Sequence, residues 1–195
     1  MTTRSKEDYL KNIYHIQEDG GKVNTGNLAA ALSISPASVS EMVNKLSKEG
    51  LIDNKPYHGF ELTGNGRKIS LNLIRKHRLL EVFLHEHLNY EWDEVHEEAE
   101  GLEHVCSDMF INKLEEYLGY PKFDPHGDPI PDKELNLTPT HYKLLVNTEP
   151  GMEYTIAKVK DSSIEILQYL TKIGIKLNSK ITLNEKIEFD GSVVI

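Results

Sequence analysis

Two stretches near the N-terminus, TGNLAAALSIS from Thr25 and SPASVSEMVNKLSKEGLI from Ser35, restrict the fold more than anything else in the chain. In the second, Val39, Met42, Val43 and Leu46 recur at helical spacing and form one apolar face. Ser35 and Pro36 supply an N-cap and a first helical residue, and Gly50 supplies a stop. The first stretch predicts a shorter helix with Thr25 as its N-cap, running through Leu32. Two short helices joined by about three residues form a helix-turn-helix candidate. The outward face of the second helix carries Ser38, Ser40, Asn44, Lys45 and Lys48, short polar and cationic groups that suit base edges and phosphates.

Before this pair, KEDYLKNIYHI places Leu10, Ile13 and Tyr14 at helical spacing. After it, LIDNKPYHGFELT holds two β-like runs around a Tyr-His-Gly turn, the size of a small wing hairpin. The residues expected at DNA are therefore Ser35, Pro36, Ser38, Ser40, Asn44, Lys45, Lys48, and Lys55 and Tyr57 of the wing, with Arg67 and Lys68 just beyond. Any small helical domain could share this pattern, so the distribution of charge matters. The chain carries a net charge of −9, which a duplex would repel. Residues 1–70, however, hold nine Lys/Arg against eight Asp/Glu, whereas 71–195 hold 13 against 23. A locally basic segment beside an acidic remainder favours a DNA-binding winged helix.

At 195 residues and 38% hydrophobic content the chain can bury a sizeable core, divided among two or three small lobes. It has no apolar run of about 18 residues, and MTTRSKEDYL lacks the apolar region of a signal peptide. The single cysteine, Cys106, excludes an intramolecular disulfide framework. The expectation is a cytoplasmic protein with no membrane partner.

The next segment, about 66 to 119, reads as two helices: GRKISLNLIRKHRLLEVFLHEHL, then one continuous helix, EVHEEAEGLEHVCSDMFINKLEEYL, with Asp93 as its N-cap. At about 100° per residue, Val95, Ala99, Leu102, Cys106 and Met109 fall on one stripe. Leu71, Ile74, Leu79, Val82, Phe83 and Leu88 give the first helix an apolar surface wider than one partner needs, which predicts a homodimer. His96, Glu100, Glu103 and His104 flank the stripe. Glu97, Glu98, Glu115 and Glu116 read as a solvated face. Glu100 and Glu103 differ: carboxylates at i and i+3 repel, and the residue at i+4 from Glu100 is His104, not a lysine or arginine. A divalent cation would supply the missing charge, and mixed carboxylate and imidazole donors suit Mn²⁺ or Fe²⁺. The run E-x-x-E-H lacks the histidine pair of a zinc protease. The residues three before His77 and His104 are Ile74 and Gly101, so no paired Glu-x-x-His di-iron motif exists. The cluster reads as a sensor or structural site; the alternative is a metal-dependent hydrolase or metal-storage protein.

With KEDYLKNIY, SPASVSEMVNKL, LTGNGRK, IRKHRLLEVFL, EVHEEAEGLEHVCSD and DPHGDPIP in this order, the chain resembles the diphtheria-toxin-repressor family of metal-dependent bacterial regulators over about residues 5 to 131. The likeness is strongest to its manganese-responsive members. It implies a mainly α fold with small β elements: a winged helix-turn-helix at 1–70, a helical dimerisation and metal-binding domain at 71–122, a linker at 123–140, and an SH3-like β domain at 141–195. Family members carry strands beyond the point where this sequence stops at Ile195, so the third domain is expected to be shortened or incomplete.

The resemblance also implies ligands. One metal would be held by Asp8, Glu100, Glu103 and His104; iron-type members carry methionine and cysteine at the positions of Asp8 and Glu100, so hard oxygen donors here favour Mn²⁺ over Fe²⁺. A second site would use His77, Glu81, His96 and the segment with Asp124 and His126, where aspartate stands in place of the family's cysteine. Lys11 replaces a ligand glutamate of one two-metal branch. Asp161 or Glu165 would supply any ligand from the third segment, and Cys106 is expected in the core. The implied function is a homodimeric repressor that binds palindromic double-stranded operator DNA when loaded with Mn²⁺, or another divalent transition metal in vitro, and controls metal uptake.

Overall fold

A computed structural model describes residues 3–55, 59–160 and 163–195. It is mainly α-helical with small antiparallel strand pairs, and its contacts divide it into two units.

Unit 1 comprises 1–77, 103–106 and 131–136. It holds α1 (Arg4–Glu18), α2 (Thr25–Leu32), α3 (Pro36–Lys48), the hairpin β1 (Ile52–Lys55) and β2 (Gly59–Leu62), and the start of α4 (Gly64–Leu88). Ile52 pairs with Leu62 and Lys55 with Gly59, so the wing forms as expected. Leu10, Ile13, Leu28, Val39, Val43, Leu46 and Ile52 form one core. Met42 lies at its edge, partly buried, because it sits at the margin of the α3 stripe. Ser35 caps α3, its Oγ accepting from the Ser38 N–H at 3.2 Å, and Pro36 takes the first position. The cap of α2 is Asn24, not Thr25: Asn24 is extended and its side chain accepts from the Asn27 N–H, which leaves Thr25 as the first helical residue. Gly59 has φ +94, and a Cβ there would run into the Val23 carbonyl that accepts from the Phe60 N–H.

Unit 2 comprises 78–102, 107–130 and 137–195. After α4 come α5 (Val95–Leu102) and α6 (Asp108–Tyr117), then a buried turn at 124–128. The third segment holds β3 (Glu153–Thr155), α7 (Ile164–Lys172), β4 (Lys180–Thr182), β5 (Glu185–Lys186) and β6 (Val193–Val194). β3 pairs with β4 and β5 with β6, with Leu167, Ile175 and Leu183 buried.

The single helix expected over 94–118 is two helices. Gly101 weakens the helix near its end, and Ser107, extended at ψ 153, caps a new one by accepting from the Phe110 N–H. The apolar stripe therefore does not continue. Val95 and Ala99 are fully buried, whereas Leu102 and Met109 are exposed, and Cys106 is only partly covered instead of lying in the core. The wide apolar surface of α4 is used within its own chain: Leu71, Leu73, Ile74, Leu79, Leu80, Val82 and Leu84 are all buried.

Candidate metal centres

Asp8 and Lys11 stand one turn apart on α1 and so face the same way. Glu103 and His104 stand on the turn that follows α5. Glu103 is fully buried, and Lys11 Nζ, itself buried, donates to its two oxygens at 2.9 and 2.8 Å. His77 Nδ1 lies 2.6 Å from Glu103 Oε2. His104 Nδ1 lies 2.8 Å from Glu7 Oε2, so the Nδ1–H donates to that carboxylate and Nε2 keeps its lone pair. Nε2 is buried, makes no hydrogen bond among the described residues, and sits 2.9 Å from Asp8 Oδ1 and 3.4 Å from Glu103 Oε1. Ligand atoms of Asp8, Glu103 and His104 thus converge within 4.8 Å. A nitrogen lone pair facing two carboxylates is repulsive, and a cation among them relieves it. The donor set fits a hard divalent ion.

In unit 2, Glu81, Asp124 and His126 are all buried, with ligand atoms within 4.8 Å of one another. His126 Nε2 lies 2.7 Å from the Trp92 carbonyl, so Nε2–H is the donor and Nδ1 the acceptor. Nδ1 has no hydrogen-bond partner among the described residues, and it lies 3.9 Å from Glu81 Oε1. The ring stacks on Trp92. Burial first, then Glu81 and Asp128, push the Asp124 carboxyl from its ordinary 3.8 up to about 7, against the opposing pull of Arg78 and His126. Two buried acids and an imidazole lone pair without sufficient countercharge fit a divalent cation.

That shift has a sign. The folded, metal-free protein holds the Asp124 proton more tightly than the unfolded chain, so this contribution to stability is full below pH 3.8 and lost as pH rises through about 7. A cation must displace the same proton, so Mn²⁺ affinity at this group should climb up to about pH 7 and then level off. Melting temperatures of parent and Asp124→Asn across that range check it: metal-free, the variant should lose less stability on raising pH. Parallel curves would remove Asp124 as the titrating group.

The other expected residues fall as follows. His96, half exposed on α5, has Nδ1 3.5 Å from Glu81 Oε1, and a ligand atom within 4.8 Å of one on Glu100. His77 Nδ1 lies against Glu103. Glu165 is exposed and paired with Ser163, while Asp161 lies outside the described residues. Ser35, Pro36, Ser38, Ser40, Asn44, Lys45 and Lys48 are all exposed along one stretch at α3. Tyr57 and the side chain of Lys55 lie outside the described residues. Sequence reasoning missed Glu7, which fixes the tautomer of His104, and Trp92, which does the same for His126; an acid next to Asp8 in the first turn of α1 was the one available signal.

Residues 1–60 match the family described as "Iron dependent repressor, N-terminal DNA binding domain", 63–132 its "metal binding and dimerisation domain", and 143–195 the FeoA domain. The chain is 38% identical over 124 residues to the HTH-type transcriptional regulator MntR of Oceanobacillus iheyensis, covering 64% of this chain and 84% of that protein. It is 36% identical over 147 residues to the iron-dependent repressor IdeR of Mycobacterium bovis, covering 75% and 60%. A solved manganese-dependent transcriptional repressor in complex with manganese superposes with a TM-score of 0.87 at 38% identity, over 97% of this chain and 92% of that one. Among the described residues no helix is long and apolar enough to cross a membrane. The chain belongs to the iron-dependent repressor family, and it is a metal-dependent, DNA-binding transcriptional repressor.

Proposed function

We propose that this repressor works in the cytoplasm as a manganese-responsive homodimer that shuts off metal-uptake genes by binding palindromic operator DNA. One ion is assigned to Asp8, Glu103 and His104. A second is assigned to Glu81, Asp124 and His126, with His96 as a flanking imidazole. The observation that carries the reading is the buried His104 Nε2, set by Glu7 to face Asp8 and Glu103 with its lone pair. The oxygen-rich donor set favours Mn²⁺, with Fe²⁺ the nearest competitor; manganese- and iron-dependent relatives support the same pair.

The bound ion supplies positive charge that the carboxylates lack, and the chain does the rest. Asp8 belongs to α1, whose Tyr9, Leu10 and Ile13 share one core with Val39, Val43 and Leu46 of α3. A restraint on α1 through Asp8 is therefore felt by the helix whose Ser38, Asn44 and Lys45 face solvent. Two such helices in a dimer must match half-sites about one duplex turn apart, so fixing α1 fixes DNA affinity through linkage. Operator binding titrated with Mn²⁺ and Fe²⁺ tests the proposal; metal-independent binding would overturn it.

At the DNA face, Lys45→Ala is expected to weaken binding to all sequences and to reduce the slope of log affinity against log salt by about one. Ser38→Ala should alter sequence preference with little change in slope. Parental behaviour of both variants at every salt concentration would move the DNA contact away from α3.

A further inference from the structure

The turn that carries two of the Glu81 group's donors is held by a residue that is not a donor. Asp124 Oδ1 accepts from the His126 and Asp128 N–H groups, each at 2.9 Å, and the Asp124 N–H donates to the Asp128 carbonyl at 3.0 Å. Residue 128 therefore closes the turn from both sides. Its own carboxylate collects two cations on one oxygen: Arg78 Nη2 of α4 at 3.0 Å and Lys158 Nζ at 2.7 Å. Arg78 also donates to the Pro129 carbonyl at 2.6 Å and places Nε 3.4 Å from Asp124 Oδ2. On the other side, the Val159 N–H donates to the His126 carbonyl at 2.9 Å. Gly127, at φ +90, lies so close to the Ala157 carbonyl that any Cβ would collide with it.

We propose that Asp128 is a positioning residue for the Glu81–Asp124–His126 group, and that through Lys158 it makes cation affinity there depend on the 157–159 segment of the FeoA domain. The proposal rests on reading that group as a cation site. Three acidic side chains, the buried Glu81 and Asp124 and the partly buried Asp128, stand close together. Arg78 is shared between two of them, and Lys158 is the cation that leaves Arg78 able to serve Asp124 as well. Without Lys158, Asp128 competes for Arg78 alone, and the turn loses its charged tie to 157–159. The donors Asp124 and His126 are then less well preorganised, though neither has been altered.

The test uses the full chain carrying Asp8→Ala, which weakens the other site, and measures Mn²⁺ alone by calorimetry and electron paramagnetic resonance. Adding His126→Ala should remove the remaining binding; if it does not, the group is no cation site and the proposal falls with that reading. If it does, Asp128→Asn should weaken Mn²⁺ binding by about tenfold to a hundredfold, the range for partners that orient a ligand. Lys158→Ala should weaken it by about tenfold, since Lys158 is partly solvated, and Lys158→Arg should recover it. The melting temperature of each metal-free variant separates loss of fold from loss of positioning: a weakened ion with an unchanged melt is the expected pattern. Parental Mn²⁺ affinity in Asp128→Asn and Lys158→Ala, or affinity lost only in step with the metal-free melt, would overturn the proposal.

Discussion

Glu103→Ala should lose metal-activated operator binding, by at least about a hundredfold at any Mn²⁺ concentration, while the protein stays dimeric. Glu103 presents one oxygen toward His104 Nε2 and both to Lys11, and the other also to His77. Alanine removes the donor that would join the ion to Asp8 and His104, so the restraint on α1 disappears. It also strands a buried ammonium, which typically costs about 3–5 kcal/mol. Loss of folding would mimic loss of the switch. The variant Lys11→Met with Glu103→Leu avoids this, because an apolar pair of similar volume in place of a buried ion pair is often neutral. Both variants should fail to respond to Mn²⁺, and the second should keep a parental melt and parental weak, metal-independent DNA affinity. Full Mn²⁺ activation of either would remove Glu103 from the switch and leave it a structural partner of Lys11.

Features written locally in the sequence were legible. Both ends of α3 followed from Ser35-Pro36 and Gly50, because a cap and a stop are decided within one turn of chain. At α2 the cap shifted by one residue: Asn24 and Thr25 are both competent, and the choice rests on which side chain reaches the Asn27 N–H. The break between α5 and α6 was not legible. The apolar period runs through 103–106 without a change of phase, and it outweighs the local signals of Gly101 and Ser107. What holds the turn is distant in sequence: His104 is drawn to Glu7, Glu103 to Lys11, and the Cys106 carbonyl accepts from Lys76 Nζ at 2.8 Å.

The same contrast separates the donors from what orients them. Asp8, Glu103 and His104 could be carried over by register, and so could Asp124 and His126 from DPHGDP. The roles of Lys11, Glu7, Trp92 and Asp128 depend on which faces meet in three dimensions, and no spacing encodes that.

Phe110→Asp is expected to convert the dimer to a monomer at micromolar concentration and to abolish tight operator binding, with Mn²⁺ binding per protomer retained. Most of the apolar width of α4 is spent within one chain, since Leu71, Leu73, Ile74, Leu79, Leu80, Val82 and Leu84 are buried there, so it does not supply the contact. Apolar side chains left open in the dimerisation domain include Leu88, Leu102, Met109, Phe110 and Tyr117, with Val105, Tyr120 and Phe123 also exposed; Met109 is 78% and Tyr117 65% exposed. Phe83 and His87 of α4 stack on each other, and Tyr117 of α6 packs against both, giving this surface a rigid aromatic margin. In a twofold dimer every residue of the patch is used twice. Losing about 1.5 kcal/mol of apolar burial at each copy of Phe110 therefore costs about 3 kcal/mol, or more than a hundredfold in the dissociation constant, before any cost of burying aspartate. Met109→Asp should act in the same direction. The acids near Glu81 and Glu103 are untouched, so ion stoichiometry should not change, whereas two recognition helices no longer held at a fixed spacing cannot engage two half-sites together. Sedimentation equilibrium beside Mn²⁺-titrated operator binding reads both effects. A dimer as tight as the parent in both variants would place the subunit contact on another face.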